Sequence, residues 1–349
     1  MYPKKLRWFV FSFALLALDS CDSALTMSDG GPSSADLAGD SNQDGSMAAT
    51  GVVVASNVQI IVEPSDGGQA LVTAIQNATT SVHMTMYLLS NTDVINAIIA
   101  QKNAGHDVKV ILNKTFPDAG SSNTSSYNTL KNAGVNVVWA SAKYTYTHEK
   151  CVILDGAQAW IMTMNATKSS PTDNREYLAI DSGVADVAEA EAVFQADFAA
   201  KDVSFAGPLI LSPVNARDSI SAFIASATTS VDLEVESLSD YQVVGALTMK
   251  GDAGAQVRVV LSDASASNDQ TQSVALLKQH HVLIKQLSKP YVHGKAIVVD
   301  GKTAFIGSQN FTTNSLINNR ELGLLFSPAS EVKKVADSIA ADFAAGTVL

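Results

Sequence analysis

From about residue 56 onward, short runs of β-branched and apolar residues alternate with longer stretches in which apolar positions recur every three or four residues. A short apolar or alternating run marks a strand, and the wider spacing marks a helix. Helices are predicted near 68–78, 92–104 and 125–133, with strands over 81–88, 108–112 and 135–139 between and after them. Strands near 146–154, 158–164 and 176–181 follow, then a helix near 185–200. Such alternation predicts an α/β fold. Residues 201–212, with Gly207 and Pro208, read as a linker.

The pattern then runs a second time. Ala78-Thr79-Thr80-Ser81-Val82 returns as Ala227-Thr228-Thr229-Ser230-Val231, and Val108-Lys109-Val110-Ile111-Leu112 as Val257-Arg258-Val259-Val260-Leu261, both at an offset of 149. Further on the offset is 145: Asn174-Arg175-Glu176 maps onto Asn319-Arg320-Glu321, and Asp197-Phe198 onto Asp342-Phe343. A period of that size is too long for a solenoid and predicts two duplicated domains, 56–204 and 205–349.

The first 55 residues follow neither rule. Met1 to Ser20 has a basic head (Lys4, Lys5, Arg7) and an apolar run from Trp8 to Leu18, shorter than the roughly 20 residues that cross a bilayer, so it reads as a secretory signal. Leu18-Asp19-Ser20-Cys21 resembles a bacterial lipobox, although Asp19 stands where a small or apolar residue is usual. That resemblance implies a lipid anchor on Cys21 and an extracytoplasmic, membrane-held protein, with plain secretion as the alternative. Residues 21–55, rich in Ser, Gly, Ala and Asp, are expected to form a disordered tether.

Composition narrows the chemistry. Charged residues make up 16%, against about 25% in an average domain, and the formal charge is -11. An acidic chain gains nothing from its overall field on meeting a polyanion, which disfavours nucleic acid as a partner. Two cysteines, Cys21 and Cys151, exclude a disulfide framework and a cysteine-based zinc site.

Each copy holds His-x-Lys-x-x-x-x-Asp, as His148, Lys150 and Asp155 and again as His293, Lys295 and Asp300. On a strand, positions i and i+2 share a face, so each His and Lys point together and the Asp points oppositely. A proton carrier beside an ammonium suits a phosphate, and the Asp is expected to be architectural. In both copies an Asn follows the His by 17 positions (Asn165, Asn310) and a Glu by 28 (Glu176, Glu321). Joint repetition at that spacing is not chance.

On these residues the chain resembles the phospholipase D superfamily, over about residues 56 to 349. Gly307-Ser308-Gln309-Asn310 matches the family's Gly-Ser-x-Asn, whereas the first copy departs from it with Met162-Thr163-Met164-Asn165. The resemblance implies two duplicated domains, each a mixed β-sheet flanked by helices, with one active site at their pseudo-twofold interface. It implies His148 as nucleophile and His293 as general acid and base, through a covalent phosphohistidine. Lys150, Lys295, Asn165, Asn310 and the hydroxyls of Thr163 and Ser308 would neutralise the phosphoryl oxygens. Glu176 and Glu321 would orient the two histidines. No cofactor or metal is called for, and one chain carrying both motifs needs no oligomer.

Other residues get plainer readings. His83, His106, His280 and His281 lack counterparts in the other copy and are expected to be incidental, Glu149 to be solvated, and Cys151 to be buried and inert. Glu234 and Glu236 share a strand face where the first copy has Thr85 and Tyr87, and are candidates for a cleft wall. Tyr146 and Tyr291, two residues before each His, either contact substrate or pack. The leading expectation is hydrolysis of a phospholipid head group. A metal-independent nuclease, a phosphatidyl transferase of the cardiolipin synthase kind and an inactive binding scaffold are the alternatives.

Overall fold

Each repeat builds one mixed sheet from strands that the sequence predicts, with one further strand on each that it does not. The computed structural model describes residues 45–47 and 53–349, apart from 118, 119, 204, 206 and 264. In the first repeat, Ser81–Met86 pairs in parallel with Asp107–Leu112, which pairs in parallel with Asn136–Trp139. On its other side run the antiparallel strands Lys150–Leu154, Gln158–Met162 and Asn174–Asp181, closed by Val58–Glu63. The second repeat repeats the plan with Ser230–Val235 beside Gln256–Leu261 and Leu283–Gln286, and with Lys295–Val299, Thr303–Gly307, Glu321–Phe326 and Ile210–Ser212 on the other side.

Helix starts repeat as well. Asn91 caps Thr92–Asn103 by accepting from Asp93 N, and Asp240 caps Tyr241–Asp252 by accepting from Gln242 N and Val243 N. A short polar side chain supplies the acceptor that the first-turn amides lack. These helices cover the outer face of each sheet and enclose separate apolar cores. The inner faces meet each other: Cys151, Ile153, Ile161 and Ala179 from one sheet pack in the same core as Ala296, Val298, Ile306 and Leu324 from the other. Burial of each larger aliphatic side chain among these contributes about 1.5–3 kcal/mol, so the repeats are joined by a continuous interior.

Three boundaries differ from the sequence reading. The tether expected over 21–55 ends in structure, because Val53–Ala55 is a strand that joins Glu321–Phe326 at Ala55 and buries Val54. An apolar triplet beside an open sheet edge has enough surface to order itself. The linker contains the strand Ile210–Ser212, and the strand expected from 146 begins at Lys150. The signal segment and Cys21 lie outside the described residues.

Candidate active site

The two histidines are positioned by strand exchange between the repeats. His148 N and Glu149 N both donate to Arg320 O of the second repeat, at 2.9 and 3.0 Å. In the mirror arrangement Tyr291–Val292 pairs in parallel with Asn174 and Arg175, and His293 N donates to Arg175 O at 3.3 Å. Each histidine is thereby set against the glutamate of the opposite repeat. His148 Nδ1 lies 2.9 Å from Glu321 Oε2, and His293 Nδ1 lies 2.8 Å from Glu176 Oε1. The first contact is a well-aligned hydrogen bond; in the second the ring N–H points off the oxygen, so it is a close ionic approach. At His148 the Glu321 carboxylate fixes the proton on Nδ1 and leaves Nε2 with the free lone pair.

Each motif lysine reaches back to the backbone of its own histidine. Lys150 Nζ donates to His148 O and Lys295 Nζ to His293 O, both at 2.7 Å, and both side chains are buried. Burial, followed by the charge of Lys295, pushes the Lys150 ammonium down to about 7. Burial also pushes His148 below the ordinary imidazole value, with Glu321 opposing it and Lys150 adding to it. Glu321 is itself buried, which would raise it, but His148 and Lys150 outweigh burial and hold it below the usual carboxylate range. The charge of Lys295 reaches Lys150 across the repeats, so the two motifs share one site.

The glutamates are braced by their own motif. Asn174 Nδ2 donates to Glu176 Oε1 at 3.1 Å and Asn319 Nδ2 to Glu321 Oε1 at 3.0 Å, which explains why Asn-Arg-Glu recurs as a unit. Between them, Arg175 and Arg320 also cross over. Arg175 Nε donates to Asp342 Oδ2 at 2.6 Å, and Arg320 Nη2 donates to Asp197 Oδ1 at 3.1 Å. Thr163 and Ser308 have a task other than the phosphate contact expected of them. Thr163 Oγ1 donates to Glu176 and accepts from Tyr177 N, and Ser308 Oγ accepts from Leu322 N, with both residues wholly buried. Asn310 Nδ2 donates to Glu236 Oε2 at 3.1 Å, and the Oδ1 atoms of Asn165 and Asn310 are buried and unpartnered among the described residues.

Asp155 and Asp300 lie away from the histidines. Each occupies a turn at positive φ, 58° and 54°, ahead of a glycine that is also positive, where only a residue tolerant of the left-handed region fits. Asp155 accepts from the backbone amides of Thr79, Thr80 and Ser81, and Asp300 from those of Thr228, Thr229 and Ser230, at 2.8–3.1 Å. The repeated Thr-Thr-Ser is therefore the docking partner of the motif Asp. Burial opposes the charge, but these hydrogen bonds outweigh it and hold both carboxyls far below their ordinary value.

Glu149, expected in solvent, is buried at 2% exposure, and burial pushes its carboxyl up to about 8. Cys151 is buried as expected. Glu234 and Glu236 part company. Glu234 Oε2 accepts from Tyr177 OH at 3.1 Å between the sheets, whereas Glu236 stands inside the site against Lys295, Asn310 and Tyr291. Its counterpart by the repeat is Tyr87, whose ring meets that of His148 edge-on at 4.5 Å. The difference between the copies at this position was the available signal for Glu236. Two imidazoles and two lysines, with the Asn310 amide beside them, can receive a tetrahedral anion and carry a displacement at it.

Residues 71–198 and 220–345 match the family described as cardiolipin synthase, PLD-like domain. A human protein, mitochondrial cardiolipin hydrolase, is 32% identical over 100 residues, which is 28% of this chain and 39% of that one. The chain thus aligns with well under half of that relative. Among solved structures, phosphatidylserine synthase of Haemophilus influenzae superposes with a TM-score of 0.66 at 10% identity, covering 85% of this chain and 89% of its own. Polyphosphate kinase from Porphyromonas gingivalis gives 0.64 at 15% identity, over 81% of this chain and 46% of that one. At such identities the superpositions speak for the fold.

Proposed function

Because the chain belongs to the cardiolipin synthase, phospholipase D-like domain family, whose domain it carries twice, we propose that it hydrolyses phospholipid phosphodiesters through a covalent phosphohistidine. The observation that carries this reading is the paired constellation of His148, Lys150 and Glu321 facing His293, Lys295 and Glu176. Superfamily members act on phosphodiesters, and the lipid substrate is the finer reading. His148 attacks phosphorus, His293 protonates the leaving oxygen, and His293 then activates water. Lys150, Lys295 and the two asparagines neutralise the phosphoryl oxygens. Activity is therefore expected to persist in excess chelator; loss of turnover with EDTA, restored by a divalent ion, refutes this route.

The charge balance supports lipid over nucleic acid. The first 55 residues hold three cations and six acids, so the -11 of the whole chain becomes -8 beyond them. A duplex binder relies on a basic stripe for counterion release, whereas one lipid phosphodiester needs only a local pocket. Anchoring through Cys21 would keep that pocket near a bilayer, and Cys21→Ser should then release the protein into the soluble fraction. The deciding assay sets vesicles of mixed head groups beside single- and double-stranded DNA at physiological salt. Head-group release with weak DNA cleavage is expected; efficient DNA degradation with intact vesicles gives the reading to a nuclease. The family's description also favours transfer to an alcohol as a second outcome, read as a phosphatidyl alcohol when glycerol is added.

A further inference from the structure

Resting on the phosphodiesterase reading, the inference concerns what makes two near-identical halves act differently. Glu236 follows the strand Ser230–Val235, and its Oε2 lies 3.1 Å from both Lys295 Nζ and Asn310 Nδ2 and 3.6 Å from His293 Nε2. Its Oε1 accepts from Tyr291 OH at 3.0 Å. In the first repeat the same position is Tyr87, whose ring packs on His148 and lies 5.0 Å from Lys150 Nζ. His293 consequently has a carboxylate beside each ring nitrogen, Glu176 at Nδ1 and Glu236 at Nε2, whereas His148 has Glu321 at Nδ1 and an aromatic neighbour. The groups around His293 are Glu176, Glu234 beyond Gly294, Glu236, Tyr177, Tyr291 and Lys295, with Lys150 from the other motif. Of these, Glu236 is the carboxylate beside Nε2.

We propose that Glu236 is the positioning residue that breaks the pseudo-twofold symmetry, keeping a proton on His293 Nε2 and so making His293 the donor and His148 the nucleophile. A carboxylate oxygen 3.6 Å from Nε2 gives a proton on that nitrogen an acceptor to face, and a ring nitrogen that carries a proton has no lone pair with which to attack. In the first step His148 Nε2 bonds to phosphorus as the bond to the leaving oxygen breaks. The electron pair departs on that oxygen, which takes the proton from His293 Nε2. Neutral His293 then takes a proton from water as the water oxygen attacks phosphorus. The P–N bond breaks, its pair returns to His148, and His293 is protonated again.

The test compares two leaving groups on one lipid: vesicles of phosphatidylethanolamine, whose alkoxide needs a proton, and of phosphatidyl-4-nitrophenol, which leaves readily without one. Glu236→Gln should lower kcat on the alkyl ester about tenfold more than on the aryl ester and move the alkaline limb of the alkyl reaction to lower pH. Glu236→Asp, which keeps the charge, should bring the ratio back toward wild type. In the wild type, rapid quenching should trap the phosphatidyl group on His148. An unchanged ratio, an equal rise on both esters, an Asp variant no better than Gln, or a trapped group on His293 overturns the proposal. A wild-type protein inert on both esters overturns the phosphodiesterase reading and this inference with it.

Discussion

Glu321, from the second repeat, accepts the Nδ1–H of His148, from the first, at 2.9 Å. The proposed catalytic unit therefore crosses the interface, and a change in one repeat is felt by the histidine of the other. Glu321→Gln should cut turnover about 100-fold or more, as loss of an orienting carboxylate does in other triads, with little change in melting temperature. His148→Ala and His293→Ala should each cost about three orders of magnitude, and the double variant little more than either. Steady-state kinetics on a phosphodiester checks both statements; additive losses would mean the residues do not work as a unit.

Burial and the charge of Lys295 push Lys150 down to about 7. Below that value it is an ammonium able to hold a phosphoryl oxygen; above it the charge is lost. KM for an anionic diester is expected to rise between pH 7 and 9 with a smaller change in kcat. Lys150→Arg, always protonated, should flatten that rise even if it is slower overall. A KM profile identical in the two proteins would place the titration elsewhere.

Asp155 and Asp300 are expected to stabilise rather than react. Replacing either with Ala leaves a row of backbone amides without acceptors and should cost about 2 kcal/mol. Because their folded pKa values are depressed, the stability they supply is present above the ordinary carboxylate pKa and is lost as pH falls toward the folded value. Thermal melts should show the deficit of Asp300→Asn shrinking below about pH 4, while turnover by the folded fraction stays near that of the wild type.

Asp181 behaves in the opposite sense. It is wholly buried at the end of Asn174–Asp181, and burial, with Asp186 beside it, pushes its carboxyl up to about 8. A raised carboxyl is protonated in the fold. Stability is therefore full below the ordinary value near 4 and declines as pH rises toward 8. Asp181→Asn, which cannot ionise, should melt higher than wild type at pH 8 and no higher at pH 4. Equal melting temperatures at both pH values would refute the buried proton.

The α/β alternation, the duplication and the motif residues could be read from the chain because each rests on local spacing or on repetition, and His148, Lys150, His293 and Lys295 do come together. Val58–Glu63 is not legible from the chain, because its apolar positions face helix Ala329–Ala345 far along the chain, with Ile60 N bonded to Glu331 at 2.7 Å. Glu149 was misplaced for a similar reason. Period-two logic puts it opposite His148, but that opposite side is the seam between repeats, where Arg320 and Asp197 stand near it. Thr163 and Ser308 were assigned by analogy to phosphate, yet a hydroxyl can serve a neighbouring strand as well as a ligand, and only the fold distinguishes these uses.

The exchanged arginine–aspartate pairs, Arg175 with Asp342 and Arg320 with Asp197, are equivalent under the duplication. Two loose copies of one repeat could in principle satisfy them, but such a dimer would be bound to identity, carrying the same side chain at both related positions. Fusion removes that obligation. With the partner supplied intramolecularly at high effective concentration, one half can keep Tyr87 while the other installs Glu236, and a single tethered molecule can divide labour between places that symmetry would otherwise force to be the same.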